Sequence, residues 1–233
     1  MQNEPNTRGR SLLSFCGFHF LDDGISDALY ILLPFIAVEL HLSLSDVGLL
    51  KGSFSAAMSL FQLPMALLGE KTGELAMVAA GTLSLSAGFL ALSLAYTLPL
   101  IFLSLTLGKS LCAGQHSLSS SLLSRAFEDS GRRAAMGTYN FSGDLGKVCL
   151  PFILAILINL CGWRQATFYF AFGGIILAVI LWVLSRKWLI KPVQTKRKHH
   201  TAGWGIINRL GFSSLMTIGF MDYSVRAGLL TFL

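Results

Sequence analysis

Seven long apolar stretches run through the chain, at about 13–38, 46–69, 75–96, 98–121, 135–160, 165–188 and 206–233. Each comes near the ~20 residues that a helix needs to cross ~30 Å of hydrocarbon. Backbone facing lipid must pair its own N–H and C=O groups, and strands of a transmembrane barrel run to only about half this length. The spans therefore read as helices, and the fold class as an all-α membrane protein.

The connectors give an orientation. Alternate ones carry Arg8, Arg10, Lys71, Arg125, Arg132, Arg133 and the basic run from Arg186 to Lys198, whereas the opposite set holds only Arg164. The positive-inside bias puts the N-terminus (1–12) and the basic linker (189–205) on the cytoplasmic side of a plasma (inner) membrane, with an even number of spans between them. A six-helix bundle over 13–188 satisfies this, and a seventh span, 206–233, follows the linker.

Residues are 53% hydrophobic and 13% charged, and the mean hydropathy is +0.63. Such a chain is far more apolar than a soluble domain. Its net charge of +6 thus reads as orientation and contact with the lipid bilayer, not as a nucleic-acid surface. The tract Lys196-Arg197-Lys198-His199-His200 falls under the same reading. Cys16, Cys112, Cys149 and Cys161 lie in or at the end of spans without C-x-x-C spacing, so they read as buried packing thiols, with no metal and no cofactor expected. The first span carries Asp22, Asp23 and Asp27 and lacks a small-residue cleavage site, which argues against a removable signal peptide. No H-E-x-x-H, G-x-S-x-G or P-loop marks an enzyme.

Ionisable side chains inside these spans are the functional signal, because each costs roughly 2.5–3.5 kcal/mol at mid-bilayer and must face a partner or a wet path. In the first span His19, Asp23, Asp27 and Tyr30 follow at helical spacing on one face, with Asp22 about 100° away. The fourth offers Lys109, Ala113, His116 and Ser120, and the fifth Asn140, Asp144 and Lys147. At 1.5 Å per residue, His19, His116 and Asn140 fall roughly 6–9 Å from the cytoplasmic edge, with Asp27, Lys109 and Lys147 nearer the centre at about 16–21 Å. Two layers are expected. Asp27 is expected to pair with Lys109 or Lys147, and Asp144 with Lys147 at i, i+3. Two readings stay open: the groups hold helices together, or they relay protons and contact substrate, a role for which histidine is suited near neutral pH. Lys51 is expected to snorkel.

The seventh span echoes the first. Gly17–Leu33 reads GFHFLDDGISDALYILL and Thr217–Leu233 reads TIGFMDYSVRAGLLTFL, so that Phe20 matches Phe220 and Asp22 matches Asp222. Parallel repeats of this kind recur in transporters. The chain stops inside that span, which implies an incomplete copy of a roughly twelve-helix protein.

These positions resemble the major facilitator superfamily, and within it the fosmidomycin-resistance-type drug efflux proteins. The pieces that carry the resemblance are His19-x-x-Asp22-Asp23, the stretch from Gly108 through His116 to Ser120, and Gly143-Asp-Leu-Gly146 with Pro151 beyond. The loop after the second span is similar to the family's G-x-x-x-D-[RK]-x-G-[RK] gate motif. Here it reads Ala66 to Glu74, through Gly69, keeping Lys71, Gly73 and an acid at Glu70 but replacing the first Gly with Ala66 and the last basic residue with Glu74. Lys109 stands where many members carry an Arg linked to proton coupling, and Leu150-Pro151 replaces a Gly-Pro pair.

The resemblance implies a six-helix N-terminal half plus the start of a second. It also implies secondary active transport of a small-molecule substrate by alternating access, with protons as the coupling ion and efflux as the direction. Proton coupling is expected at Asp23 or Asp27. The alternatives are a multi-pass protein with an assembly or sensing role, or an inactive transporter remnant.

Overall fold

The computed structural model describes residues 5–127, 131–188 and 208–232. Among them lie eight helical segments: α1 (Pro5–Glu39), α2 (Leu44–Thr72), α3 (Glu74–Ser93), α4 (Leu98–Cys112), α5 (Gln115–Ala126), α6 (Arg132–Cys161), α7 (Trp163–Trp188) and α8 (Arg209–Phe232). They divide into two units, Met1–Ile190 and Lys191–Leu233. The expected linker, 189–205, lies outside the described residues.

The ends of α1, α2 and α6 run past the apolar cores that mark their spans, because polar turns continue a helix beyond the hydrocarbon, whereas α3 stops at Ser93, short of the expected end. The segment expected as a polar N-terminus is helical from Pro5 onward. Ser43 and Asp46 form a reciprocal capping box that starts α2, with Asp46 N–H donating to Ser43 Oγ at 3.2 Å and Ser43 N–H to Asp46 Oδ2 at 2.9 Å. Gly73 ends α2 and starts α3 at φ +116°, a conformation that favours glycine. In the second unit, Asn208 Oδ1 caps α8 by accepting the Gly211 N–H at 2.9 Å.

The fourth span is not one helix. Its ladder breaks at Ala113 and Gly114, where the Ala113 N–H turns back to Ser110 O at 3.3 Å. A Cβ on Gly114 would stand 3.0 Å from Ala66 N, so glycine lets the break press against α2.

Hydropathy alone selects five spans, Leu44–Thr72, Glu74–Ser93, Leu98–Ala126, Arg132–Cys161 and Trp163–Trp188. α1 is left out because it carries three aspartates, not because it lacks apolar residues, and the helix is shielded from lipid. Phe15, Phe18, Ile25, Leu29, Leu32 and Ile36 are all fully buried, and α1 packs on α6, α7, α3 and α5. Outward-facing Phe152, Leu160, Phe172 and Ile180 leave an apolar exterior suited to lipid.

The contact between α1 and α6 is made backbone to backbone. A Cβ on Gly24 would lie 2.6 Å from Gly146 O, and one on Gly146 would collide with Phe20 O. Small residues give this close approach in the absence of a hydrophobic drive between helices. It brings the side chains of α6 within reach of the polar face of α1.

Candidate functional site

Where α1, α4–α5 and α6 meet, polar side chains that are scattered in sequence form one connected cluster. Asp22 is fully buried, Asp23 and Lys109 nearly so, and His19 is 6% exposed. His19 Nε2 lies 3.3 Å from Asp23 Oδ2, and His116 Nε2 lies 3.5 Å from Asp22 Oδ2 and 3.6 Å from Asp23 Oδ1. Lys109 Nζ reaches Asp22 Oδ1 at 3.6 Å and donates to Ser26 Oγ at 2.7 Å. Lys147 Nζ reaches Asp23 Oδ2 at 3.1 Å and Asp144 Oδ1 at 3.0 Å.

The expected two layers therefore merge. A lysine stem of four methylenes spans the difference in depth, so Lys109 and Lys147 deliver their charges to Asp22 and Asp23. The expected pairing of Asp27 is corrected accordingly: Lys109 takes Asp22 and Lys147 takes Asp23. Asp27, half-buried, has no ion pair within 4 Å among the described residues, although Lys51, Lys147 and Lys109 act on it at longer range. The i, i+3 pair of Asp144 with Lys147 is present.

Asn140 stands exposed, outside this cluster. Its neighbour Tyr139 takes the inward place: the phenol ring stacks on the His19 imidazole, with centroids 4.0 Å apart and planes 11° from parallel. His19 Nδ1 donates to the Tyr139 carbonyl at 2.8 Å. A carbonyl only accepts, so the proton sits on Nδ1 and Nε2 faces Asp23. Gly143 makes room for both groups, since a Cβ there would come within 2.5 Å of His19 Cε1 and 2.7 Å of Asp23 Oδ2.

Cys112 and Gln115 belong to the site although spacing did not single them out. Cys112 Sγ donates to Asp22 Oδ1, so it is a polar participant and not merely a packing thiol. Cys16, Cys149 and Cys161 are only partly buried. Gln115 Nε2 donates to Phe18 O at 2.9 Å, and its Oε1 accepts from Thr82 at 3.1 Å, which ties the break in the fourth span to α1 and α3. Without that break an ideal helix would swing Gln115 off the face shared by Lys109 and Cys112.

Lys51 is also corrected. It is 8% exposed and turns inward, with Nζ 4.1 Å from the Tyr30 ring centroid and 5.4 Å from that of Phe54. The aromatic faces supply negative potential that lipid headgroups would otherwise give.

The residues of the loop motif lie apart from this cluster. Gly69 is buried against Leu118, while Glu70, Lys71 and Gly73 are exposed. Glu74, which replaces a basic residue of the family pattern, receives a hydrogen bond from Arg125 at the end of α5. At the opposite end of the bundle, Glu39 accepts from Trp163 Nε1 at 2.6 Å and from Arg164 Nε at 2.9 Å. Arg164 Nη1 donates to the carbonyls of Ser93 and Ala95, at 3.1 and 2.7 Å. Hydrogen bonds from Arg164 and Trp163 hold the Glu39 carboxyl below its ordinary range.

Membrane-length helices closed around a buried set of aspartate, histidine and lysine define the class: a polytopic membrane protein with an intramembrane polar site. The chain belongs to the Major Facilitator Superfamily, whose sequence profile matches residues 15–233, and this is a family of transporters and not of enzymes. Two solved structures of a bacterial homolog of the human lysosomal transporter Spinster share its fold. The inward-facing occupied form gives a TM-score of 0.68 at 19% identity, covering 79% of this chain and 45% of that one. The inward-facing unoccupied form gives 0.66 at 18%, covering 78% and 44%. The chain thus spans less than half the length of these structures. No curated protein matches it significantly.

Proposed function

We propose that the chain works as part of a secondary active transporter that moves a small molecule by alternating access, with proton-coupled efflux across the plasma (inner) membrane and a cytoplasmic N-terminus. The observation that carries this reading is the Asp22–Asp23 pair, buried yet shared among two histidines and two lysines on four helical segments, α1, α4, α5 and α6. A purely structural pair needs one partner per charge. Here Asp23 has three, so changing its protonation redistributes contacts among α1, α5 and α6 at once. Proton uptake on Asp23 frees Lys147 to its second partner, Asp144, and slackens the hold of α1 on α6. Membership in a transporter family supports the same reading. The resemblance to fosmidomycin-resistance-type proteins makes drug-like anions and amphiphiles the first substrates to try.

The test is drug accumulation in a sensitive bacterial strain expressing the full chain, measured across pH 5.5 to 8.5 for wild type and Asp23→Asn. A pH-dependent fall in accumulation that the variant lacks, at equal membrane abundance, is the expected result. No difference between expressing and empty cells across a broad panel would sink the reading.

A further inference from the structure

We propose that His19, Asp23, His116 and Asp22 form a binding site for a divalent transition-metal ion of the zinc type. Three donor groups, His19, Asp23 and His116, already bring ligand atoms within 4.8 Å of one another. With metal–ligand bonds of about 2.0–2.1 Å, a tetrahedral zinc site has ligand edges of about 3.3–3.4 Å. The contacts here are 3.3 Å for His19 Nε2 to Asp23 Oδ2, 3.5 Å for His116 Nε2 to Asp22 Oδ2 and 3.6 Å for His116 Nε2 to Asp23 Oδ1. The widest pair among His19, Asp23 and His116, up to 4.8 Å apart, would close by about 1.4 Å around a cation, a movement that side-chain rotation supplies.

Two further observations point to a ligand. Asp22 Oδ2 is completely buried and accepts no hydrogen bond, although it faces the His116 ring nitrogen. A carboxylate oxygen so placed in a membrane interior is costly without a positive charge beside it. His19 is also set as metal-bound histidines are: its Nδ1–H is spent on the Tyr139 carbonyl, which fixes the tautomer and turns the Nε2 lone pair toward Asp23. Lone pair and carboxylate oxygen at 3.3 Å repel unless a positive charge lies between them. A proton satisfies two atoms, whereas three ligand groups converge here, with Asp22 Oδ2 beside the third. The two imidazoles meet edge to face, at 83° and 5.1 Å, beside the same carboxylate. The His116 side chain, 28% exposed, marks the side open to entry.

The neighbouring cations set the terms of binding. Lys109 is held away on Asp22 Oδ1 and Ser26, and Cys112 donates to that same Oδ1, so Oδ2 remains open to the ion. Lys147 competes directly, because its ammonium occupies Asp23 Oδ2 at 3.1 Å. It has Asp144 to retreat to. Metal entry therefore displaces Lys147, and removing that lysine's charge tightens the site. Imidazole and carboxylate donors fit zinc, cobalt or nickel better than calcium or magnesium.

The site coincides with the proton-coupling cluster proposed above, but the two readings fail separately. A binding isotherm requires no transport: zinc binding without efflux would retire only the transport reading, and efflux without zinc binding only this one. The experiment is calorimetric titration of Zn2+ into the purified full chain in detergent, with Co2+ absorption as a check on geometry. One Zn2+ per chain and tetrahedral cobalt bands are expected. His116→Gln, at a partly exposed position that tolerates change, should weaken binding roughly tenfold or more, and His19→Gln likewise. Lys147→Met should tighten it severalfold. Replacing His199 and His200 with alanine should leave it unchanged. No stoichiometric binding in either wild type or Lys147→Met would overturn the proposal, as would binding that disappears with His199 and His200 instead.

Discussion

Two charge networks tie helices together at different heights in this bundle, and they are built on opposite plans. At the end that carries Arg164, a single guanidinium meets Glu39, two backbone carbonyls, and the rings of Tyr96 and Trp163 at 4.0 and 4.4 Å. Nη2 also lies 2.8 Å from Glu39 Oε1, without a hydrogen bond, and the network joins the ends of α1, α3 and α7 into a clamp around one carboxylate. In the interior, two carboxylates share two imidazoles and two ammoniums, one oxygen is left over, and Lys147 has two alternatives. A cation with one carboxylate partner has one arrangement; carboxylates shared among several cations have more than one. The first holds shape and the second can change state.

That contrast predicts which substitutions harm activity and which harm stability. The largest effect is expected from Asp23→Asn, which should cut pH-dependent drug efflux at least tenfold while the thermal midpoint of the purified chain stays close to wild type. A collapse of the fold with unaltered residual transport would make the interior network a clamp like the other. Gly143→Val comes next: its side chain must push His19 and Asp23 aside, so both efflux and Zn2+ affinity should drop. Arg164→Ala should do the reverse, costing about 1–3 kcal/mol of stability through lost charged hydrogen bonds, read by denaturant or thermal unfolding, with transport per folded molecule retained.

Acid should reproduce part of that loss. The folded state lowers the Glu39 pKa below its ordinary 4.5, so its contribution is complete above that value and fades as pH falls through the folded value. An acid-induced drop in unfolding midpoint that Glu39→Gln no longer shows would verify this. Arg125→Ala should matter least, under about 1 kcal/mol, because its pairing with Glu74 is partly solvated.

The sequence made much of this legible, and the misses share a cause. Spacing of four along α1 put His19 and Asp23 on one face, and that face does carry the site. Spacing treats each helix as a cylinder with one inward side, however, and α1 is enclosed by α3, α5, α6 and α7. Asp22, 100° off the stripe, is consequently buried as well, against α4 and α5. On α6 the inward stripe is Ala135, Tyr139, Gly143 and Gly146. Small residues signal close packing more strongly than polar ones signal a cavity, and reading them first would have chosen Tyr139 over Asn140. Gln115 was hidden by the break at Ala113 and Gly114, which resets helical phase, and Cys112, on the same face as Lys109, by the ordinary role of a thiol in apolar packing. A Gly beside an Ala in an apolar run gives little warning of the break. Lys51 was missed because its partner Tyr30 lies on another helix.

The hydrogen atom that serves as the side chain of Gly143 has a consequence for lineage. A larger group at that position pushes the imidazole of His19 aside, so the two positions are coupled, and a ring held in its present place favours glycine at 143. Across a set of homologues the pair should change together or not at all, which makes a smallest-possible residue on α6 a written record of whether the histidine on α1 is still in use.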